Sequence, residues 1–263
     1  MKRPAILVAL ALSLAVPAQA TPAGVPADPL GSPMWAFHAA RLFAGHRIVF
    51  DPVVRVHVPQ IAENQHVFPV TVDARALPEV QRIVLLADLD PIPVAVDYAP
   101  VAAAPFLATR IKLDQRTPVR AAVLTRDGTW HLAGTWVDAA GGGCSAPPFS
   151  RVRGDWADHL GEVRGAAWHE AAGLVRVRVS IRHPMDTGLV ENIPAYNIER
   201  VTVRAADGTV LGAMQVFGSV AEDPAFTLVV QDGAGGMQVS ARDSAGLEFA
   251  GRIDADAIRA ANR

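Results

Sequence analysis

Along Leu174–Arg182, Val175, Val177, Val179 and Ile181 alternate with Arg176, Arg178, Ser180 and Arg182. Only an extended strand sends those two sets to opposite faces, because a helix would smear the valines around its circumference. The same period recurs in Val54, Val56 and Val58, separated by Arg55 and His57. It continues in the apolar runs at 67–72, 83–86, 93–98, 108–113, 119–124, 201–204, 210–216, 226–230, 237–241 and 247–253. Asp127-Gly128 and Asp207-Gly208 are two-residue hairpin signals, since both central positions of that turn need positive φ. Short strands separated by turns rather than by helical stretches predict an all-β chain built as sandwiches, not a βαβ sheet.

One helix is expected, near the start. Ser32-Pro33 reads as an N-cap followed by proline at the first helical position, with Gly45 past the end. Trp35, Ala39, Leu42 and Phe43 give it one apolar stripe, which predicts docking on a sheet rather than ligand stacking by Trp35. The Pro- and Gly-rich stretch at 21–31 reads as loosely draped, and the Ala-rich tail after Asp254 has helical bias.

Lys2 and Arg3, the apolar run from Ala5 to Val16 and Ala18-Gln19-Ala20 make residues 1–20 a signal peptide cleaved after Ala20. The run is too short to span a bilayer, which takes about 20 residues. A periplasmic protein starting at Thr21, without membrane attachment, is expected. It keeps 22 basic against 26 acidic residues, with Lys112 its only lysine. No basic block interleaved with aromatics appears, so nucleic acid is not an expected partner.

Cys144, the only cysteine, follows Gly141-Gly142-Gly143 and precedes Ser145-Ala146-Pro147-Pro148. A single cysteine cannot close an internal disulfide. No period of Val, Ile or Leu surrounds it to bury it, and three glycines give the backbone freedom. The expectation is a mobile, solvent-reachable thiol. The division is then a first sandwich at 32–144, a linker at 145–172 with at most one short helix packed by its tryptophans, and a second sandwich at 173–255.

The first unit resembles SoxY, the cysteine-bearing half of a bacterial sulfur carrier. The resemblance lies in Val67 to Asp73, in Asp88-Leu89-Asp90-Pro91-Ile92-Pro93 and in the glycine-flanked Cys144. The second resembles SoxZ in His183-Pro184-Met185-Asp186-Thr187-Gly188, Ile193-Pro194-Ala195-Tyr196, Val220 to Phe226 and Asp243-Ser244-Ala245-Gly246. The resemblance implies two immunoglobulin-like sandwiches in tandem, fused as a SoxYZ-like carrier. It implies a sulfur-containing intermediate held covalently on Cys144, with Gly141, Gly142 and Gly143 as the flexible arm. It also implies partners among periplasmic redox enzymes, of the sulfur-oxidation or the quinoprotein dehydrogenase type. The family's cysteine lies in a glycine-flanked arm at the chain end, whereas Cys144 is tethered on both sides.

Two other readings stand beside the carrier. One is a non-covalent binding or assembly module of an exported redox system. The other is a thiol enzyme, disfavoured because a nucleophile on flexible glycines lacks preorganisation. His183 beside Met185 suggests either copper or a thiol-activating base, but Pro184 and Gly188 favour a structured turn. His57 and His66 lack metal-ligand spacing. Asp127 and Asp207 read as turn formers, Asp88 and Asp90 as flanks of a proline bend. Neither a metal, a cofactor nor a catalytic residue is expected.

Overall fold

The computed structural model describes residues 24–170, 173–231, 235–254 and 258–259. The expected signal peptide lies outside the described residues. The regular structure of the described residues is almost entirely strand, with one eight-residue helix, α1 (Trp35–Leu42), and one short turn of helix, α2 (Phe149–Arg153). The first unit holds β1 (Arg47–Phe50), β2 (Arg55–His57), β3 (Ile61–Ala62), β4 (Phe68–Asp73), β5 (Val80–Ala87), β6 (Val94–Ala99), β7 (Ala104–Ile111), β8 (Thr117–Thr125) and β9 (Thr129–Ala139). The second holds β10 (Val163–Glu170), β11 (Leu174–Ile181), β12 (Ile198–Ala205), β13 (Val210–Val216), β14 (Ala225–Gln231), β15 (Met237–Asp243), β16 (Glu248–Ile253) and β17 (Ile258–Arg259).

The two immunoglobulin-like units are consecutive in sequence but share both sheets. One sheet runs β1-β9-β8-β5-β6-β13-β12-β15-β16, with β3 also on β9; the other runs β17-β10-β11-β14-β7-β4-β2. The seam in the first is the antiparallel pair β6 and β13, with Tyr98 opposite Met214 and Val96 opposite Val216. In the second, Thr227 of β14 faces Ala108 of β7, and a register shift precedes the pairing of Val229 with Ala104. A single apolar cluster crosses the seam, from Phe68, Leu85, Val96 and Ile111 to Val177, Val203, Met214 and Phe226. At Gly212 an added Cβ would stand 2.8 Å from the Tyr98 ring, so glycine lets the two units approach.

The expected period-2 strands and both Asp-Gly hairpins are present, β8 with β9 and β12 with β13. α1 docks as its stripe predicts: Trp35, Ala39 and Phe43 pack on Val84, Leu86, Trp130 and Leu132 in a second cluster. Its start differs from the expectation. The helix begins at Trp35 after Met34, and Ser32 serves through its carbonyl, which accepts the Trp35 N–H at 3.1 Å.

The stretch before α1 is pinned rather than draped. Asp28 accepts the N–H of Leu30 and of Ser32 and meets the guanidinium of Arg120 at 2.6 and 2.8 Å. Arg120 also donates to Asp88 and lies 5.1 Å over the Trp35 ring, 1 % exposed. Trp35 and Trp136 donate their indole N–H groups to Pro26 O and Leu30 O.

The expected linker at 145–172 also needs correcting. Its short helix exists as α2, but β10 occupies 163–170 and pairs along its whole length with β11. Ile258–Arg259 of the tail, where helical bias was expected, is a two-residue strand parallel to Ala167–Trp168.

Limited proteolysis between Gly154 and Glu162 should give two fragments that co-elute on gel filtration, because two sheet seams and one core hold them. Fragments that separate would contradict the shared sheets. Replacing Arg120 by Met strands Asp28 and Asp88 as buried carboxyls, and should cost about 3–5 kcal/mol in chemical denaturation.

Candidate functional site

The site is built where β9 ends and the chain turns back toward the seam. Gly141 and Gly142 have φ of 102° and 85°, which reverses the chain after Ala139. Gly143 then passes against the backbone of residues 65 and 113, donating its N–H to Leu113 O at 3.1 Å. A Cβ at Gly143 would lie 2.4 Å from Gln65 O and 2.5 Å from Leu113 O, backbone atoms with no freedom to yield. The glycines therefore form a fitted turn instead of a free arm.

Asp114 fastens the two residues after that turn. Its Oδ1 accepts the N–H of Cys144 at 3.0 Å, the N–H of Ser145 at 3.2 Å and the Ser145 hydroxyl at 3.0 Å. The Ala146 N–H closes the loop onto Gly142 O. From the second unit, the Thr187 hydroxyl donates to Cys144 O at 2.6 Å. Cys144 is 0 % exposed, which overturns the expectation of a mobile, solvent-reachable thiol. The physical reason is polar: carboxylate, hydroxyl and backbone partners seat the loop, so no Val or Leu period was needed. Cys144 belongs to neither apolar cluster.

The thiol shares its burial with ionisable groups from both sides. Lys112 is 4 % exposed and donates from Nζ to Met185 O and, at 2.9 Å, to Gly218 O. Burial pulls its ammonium down to about 8, against the opposing pull of Cys144, Asp186 and Glu222. Asp90 is 5 % exposed; its Oδ1 accepts the Asp114 N–H at 3.1 Å, and Oδ2 has no hydrogen-bond partner among the described residues. Burial pushes the Asp90 carboxyl up to about 7, only partly offset by that bond. Burial pushes the Cys144 thiol up to about 12; the Asp90 and Asp114 charges add to the rise and Lys112 opposes it. In this closed arrangement the thiol is protonated and a poor nucleophile.

The second unit completes the enclosure. Met185 has φ of 55°, a left-handed conformation unusual for a non-glycine residue, and it presents its carbonyl to Lys112. α2 bridges the units: the Glu222 carboxylate accepts the N–H groups of Phe149 and Ser150, both at 2.8 Å. Arg151 pairs with Asp186 at 2.5 Å and stacks 3.8 Å from the Trp156 ring centre.

His183 is part of this turn, as the turn reading expects. Its Nδ1 accepts the Met185 N–H at 3.1 Å, and its Nε2 stands 3.7 Å from Asp243 Oδ2. Burial pulls its pKa to about 4, so the ring is neutral, and Asp243 is held by the Tyr196 hydroxyl at 2.7 Å. His57 lies on an exposed strand position, while His66 packs edge-on to Phe149. Among the described residues no group of three His, Cys, Asp or Glu side chains could hold a metal ion.

Sequence reasoning found Cys144 and missed Asp90, Asp114, Lys112 and Thr187. Asp90 was read as the flank of a bend, yet it is buried. The one signal in the sequence was Lys112, the single lysine after residue 20 in an arginine-rich chain.

Comparison with known proteins matches the two halves of the chain to separate families. Residues 39–144 match the family described as sulfur oxidation protein SoxY, and residues 163–254 match sulphur oxidation protein SoxZ. Among solved structures, the sulfur carrier protein SoxY from Chlorobium limicola f thiosulfatophilum aligns over 41 % of this chain and 96 % of its own, at 19 % identity and TM-score 0.36. A beta-glycosidase from Bacteroides vulgatus aligns over 83 % of this chain but 26 % of its own, at 10 % identity and TM-score 0.24. No curated protein matches the chain.

Gly143→Ala tests how the loop is seated. Overpacking against backbone costs about 1–3 kcal/mol, which raises the open population, and so the native alkylation rate of Cys144, by about 5- to 150-fold. An unchanged rate in a folded variant would contradict the seating described here.

Proposed function

Because the chain belongs to the SoxY and SoxZ families, as a fusion of the two within one polypeptide, we propose that it is an exported carrier that holds a sulfur-containing group covalently on Cys144. The observation that carries this reading is the place where the first family match stops. The SoxY match ends at residue 144, and residue 144 is the chain's one cysteine. SoxY and SoxZ are described as sulfur-oxidation proteins, and the proposed role is that of a carrier rather than of an enzyme with its own catalytic centre. The proposed location is the periplasm, after cleavage behind Ala20. The proposed partners are redox enzymes there, of the sulfur-oxidation or the quinoprotein dehydrogenase type.

The closed loop gives the carrier a resting state. A thiol raised to about 12 is almost wholly protonated at neutral pH, which protects it from adventitious oxidation. Loading requires the loop to leave its seat. The bonds to Asp114 and Thr187 are the ones to break, worth about 1 kcal/mol net for the Thr187 hydroxyl and about 1.5–3 kcal/mol for a bond to the Asp114 carboxylate. Gly142, whose Cβ position meets no atom within 4 Å, provides freedom for the hinge. A partner enzyme that docks at the seam and takes over those polar contacts would draw the thiol out. Both ends of the loop stay anchored, so the enzyme must approach the carrier closely.

Burial of the thiol supports a second reading, in which the fused pair is a non-covalent assembly module and Cys144 is structural. Intact mass of the protein isolated from its host separates the two. The carrier reading expects a population heavier than the unmodified Thr21–Arg263 chain, with the added mass on Cys144 and removed by thiol reductant. It also expects that Cys144→Ser folds with the same far-ultraviolet circular dichroism and loses the pathway it serves in cells. A Cys144→Ser strain with full oxidation activity would establish the assembly module instead.

A further inference from the structure

The outer face of the sheet that runs from β1 to β16 changes character at the seam. In the first unit it is apolar and lies under α1, which packs on Val84 and Leu86 of β5. In the second unit β12, β15 and β16 turn Val203, Val239 and Ile253 to the core, and period 2 sends Arg200, Arg204, Arg242 and Arg252 to the opposite, open side. All four are exposed. Register sets them in two rows. Arg200 stands directly opposite Arg242, while Arg204 and Arg252 flank Gln238 four residues further along their strands. At about 3.4 Å per residue the rows are about 14 Å apart. Between them Thr202 faces Ser240 and Ser240 faces Ala250, a floor of small side chains with shallow depressions of about 320 and 520 Å³. The pairing of Arg200 with Arg242 is an anomaly, because like charges directly opposite each other weaken a sheet. Exposed Glu199 and Glu248 adjoin it, yet no ion pair within 4 Å joins any of the four arginines to a carboxylate among the described residues. Arg82, on the same face across the seam, shows the alternative, since Asp97 holds it. Four arginines against two glutamates give this face a formal charge of +2, on a chain whose total is −2.

We infer that this arginine face of β12, β15 and β16 docks an acidic protein surface, whose Asp and Glu side chains supply the compensation that the chain itself withholds. The charge selects an anionic partner. The spacing selects its size, because one small anion cannot bridge rows about 14 Å apart, whereas carboxylates spread over a protein surface can. The floor of Thr202, Ser240 and Ala250 offers no aromatic ring on which a base would stack and no large apolar side chain to enter a bilayer. An open, polar face of this kind suits a transient encounter, in which complementary charge sets the orientation and the rate of association. Seating carboxylates between the rows also relieves the repulsion between Arg200 and Arg242, so the arginines are held ready by the fold and satisfied by the partner. The inference goes beyond the carrier reading and does not rest on it, since the cysteine loop contributes nothing to this face.

Replacing exposed Ser240 by the photo-crosslinking residue p-benzoylphenylalanine, in the full chain made in its host, reads the occupant directly. The expected product is an adduct with a protein whose cross-linked segment, identified by mass spectrometry, is rich in Asp and Glu. Reversing the face with Arg200→Glu and Arg242→Glu should cut the yield about tenfold or more, the scale of electrostatic steering. The same charge change at Arg41 and Arg47, exposed arginines of the first unit, should leave it unchanged. In the purified protein, Arg242→Gln should keep or raise the thermal midpoint, because it removes a like-charge pair. A lower midpoint would show that Arg242 has a structural partner, and would overturn the inference. So would the absence of any adduct, an adduct with phospholipid, nucleic acid or a second copy of this chain, or a yield indifferent to charge reversal. The Cys144→Ser chain should give the same adduct at the same yield, so failure of the carrier reading leaves this result in place.

Discussion

The antiparallel ladder between β6 and β13 sets the rest of the molecule in place. It carries the β5–β6 half of the first unit directly into the β12–β13 half of the second, and the β7–β14 pairing does the same for the opposing sheet. Two units that would otherwise meet as separate surfaces become one pair of continuous sheets with one core. Covalent fusion makes this association intramolecular, so dilution does not dissolve it. The seam also brings Lys112, at the end of β7, against the carbonyls of Met185 and Gly218. Without the second unit those partners vanish, and so does the hydroxyl of Thr187 that holds the Cys144 carbonyl. The thiol site is a property of the seam rather than of either half.

Closure of that site combines steric fit with polar fastening. Gly143 fits because it lacks a side chain, and Asp114 collects three donors from two successive residues. Apolar burial contributes little, since Cys144 stands outside both clusters. Hydrogen bonds of this kind are individually weak in net terms and can be exchanged for those of a partner or of water. A loop held this way can be stable at rest and still open without disturbing the core. A cysteine packed among valines would have no such option. The loop is thus held as a latch, not as the flexible arm that three successive glycines suggest.

Much of the fold was legible in the sequence because half-buried strands write their burial as period 2, as β11 does with its alternating valines and arginines. β10 escaped notice because its packing depends on small residues. Gly165 leaves room for Ile253, and only Ala167 is fully buried along the strand, so no alternation of large apolar residues appears. The pinned segment before α1 escaped for a different reason. Its order comes from Asp28 meeting Arg120 across 92 positions, which no local pattern records. At the site, the cysteine was visible by type, while its burial depends on Asp114 and Thr187 arriving from 30 residues before and 43 after. Glycines before a cysteine look the same in sequence whether they free a chain or allow it to pack against backbone.

The central claim is that the Cys144 thiol reacts only after its loop leaves the seam. Its most direct test is the native alkylation rate as the reagent concentration is raised, under conditions where the fold is intact. The latch predicts a rate well below that of the denatured chain, rising at first and then levelling at the opening rate of the loop. A rate that stays proportional to reagent and equals the denatured rate throughout would show the thiol open in solution, and would contradict the account.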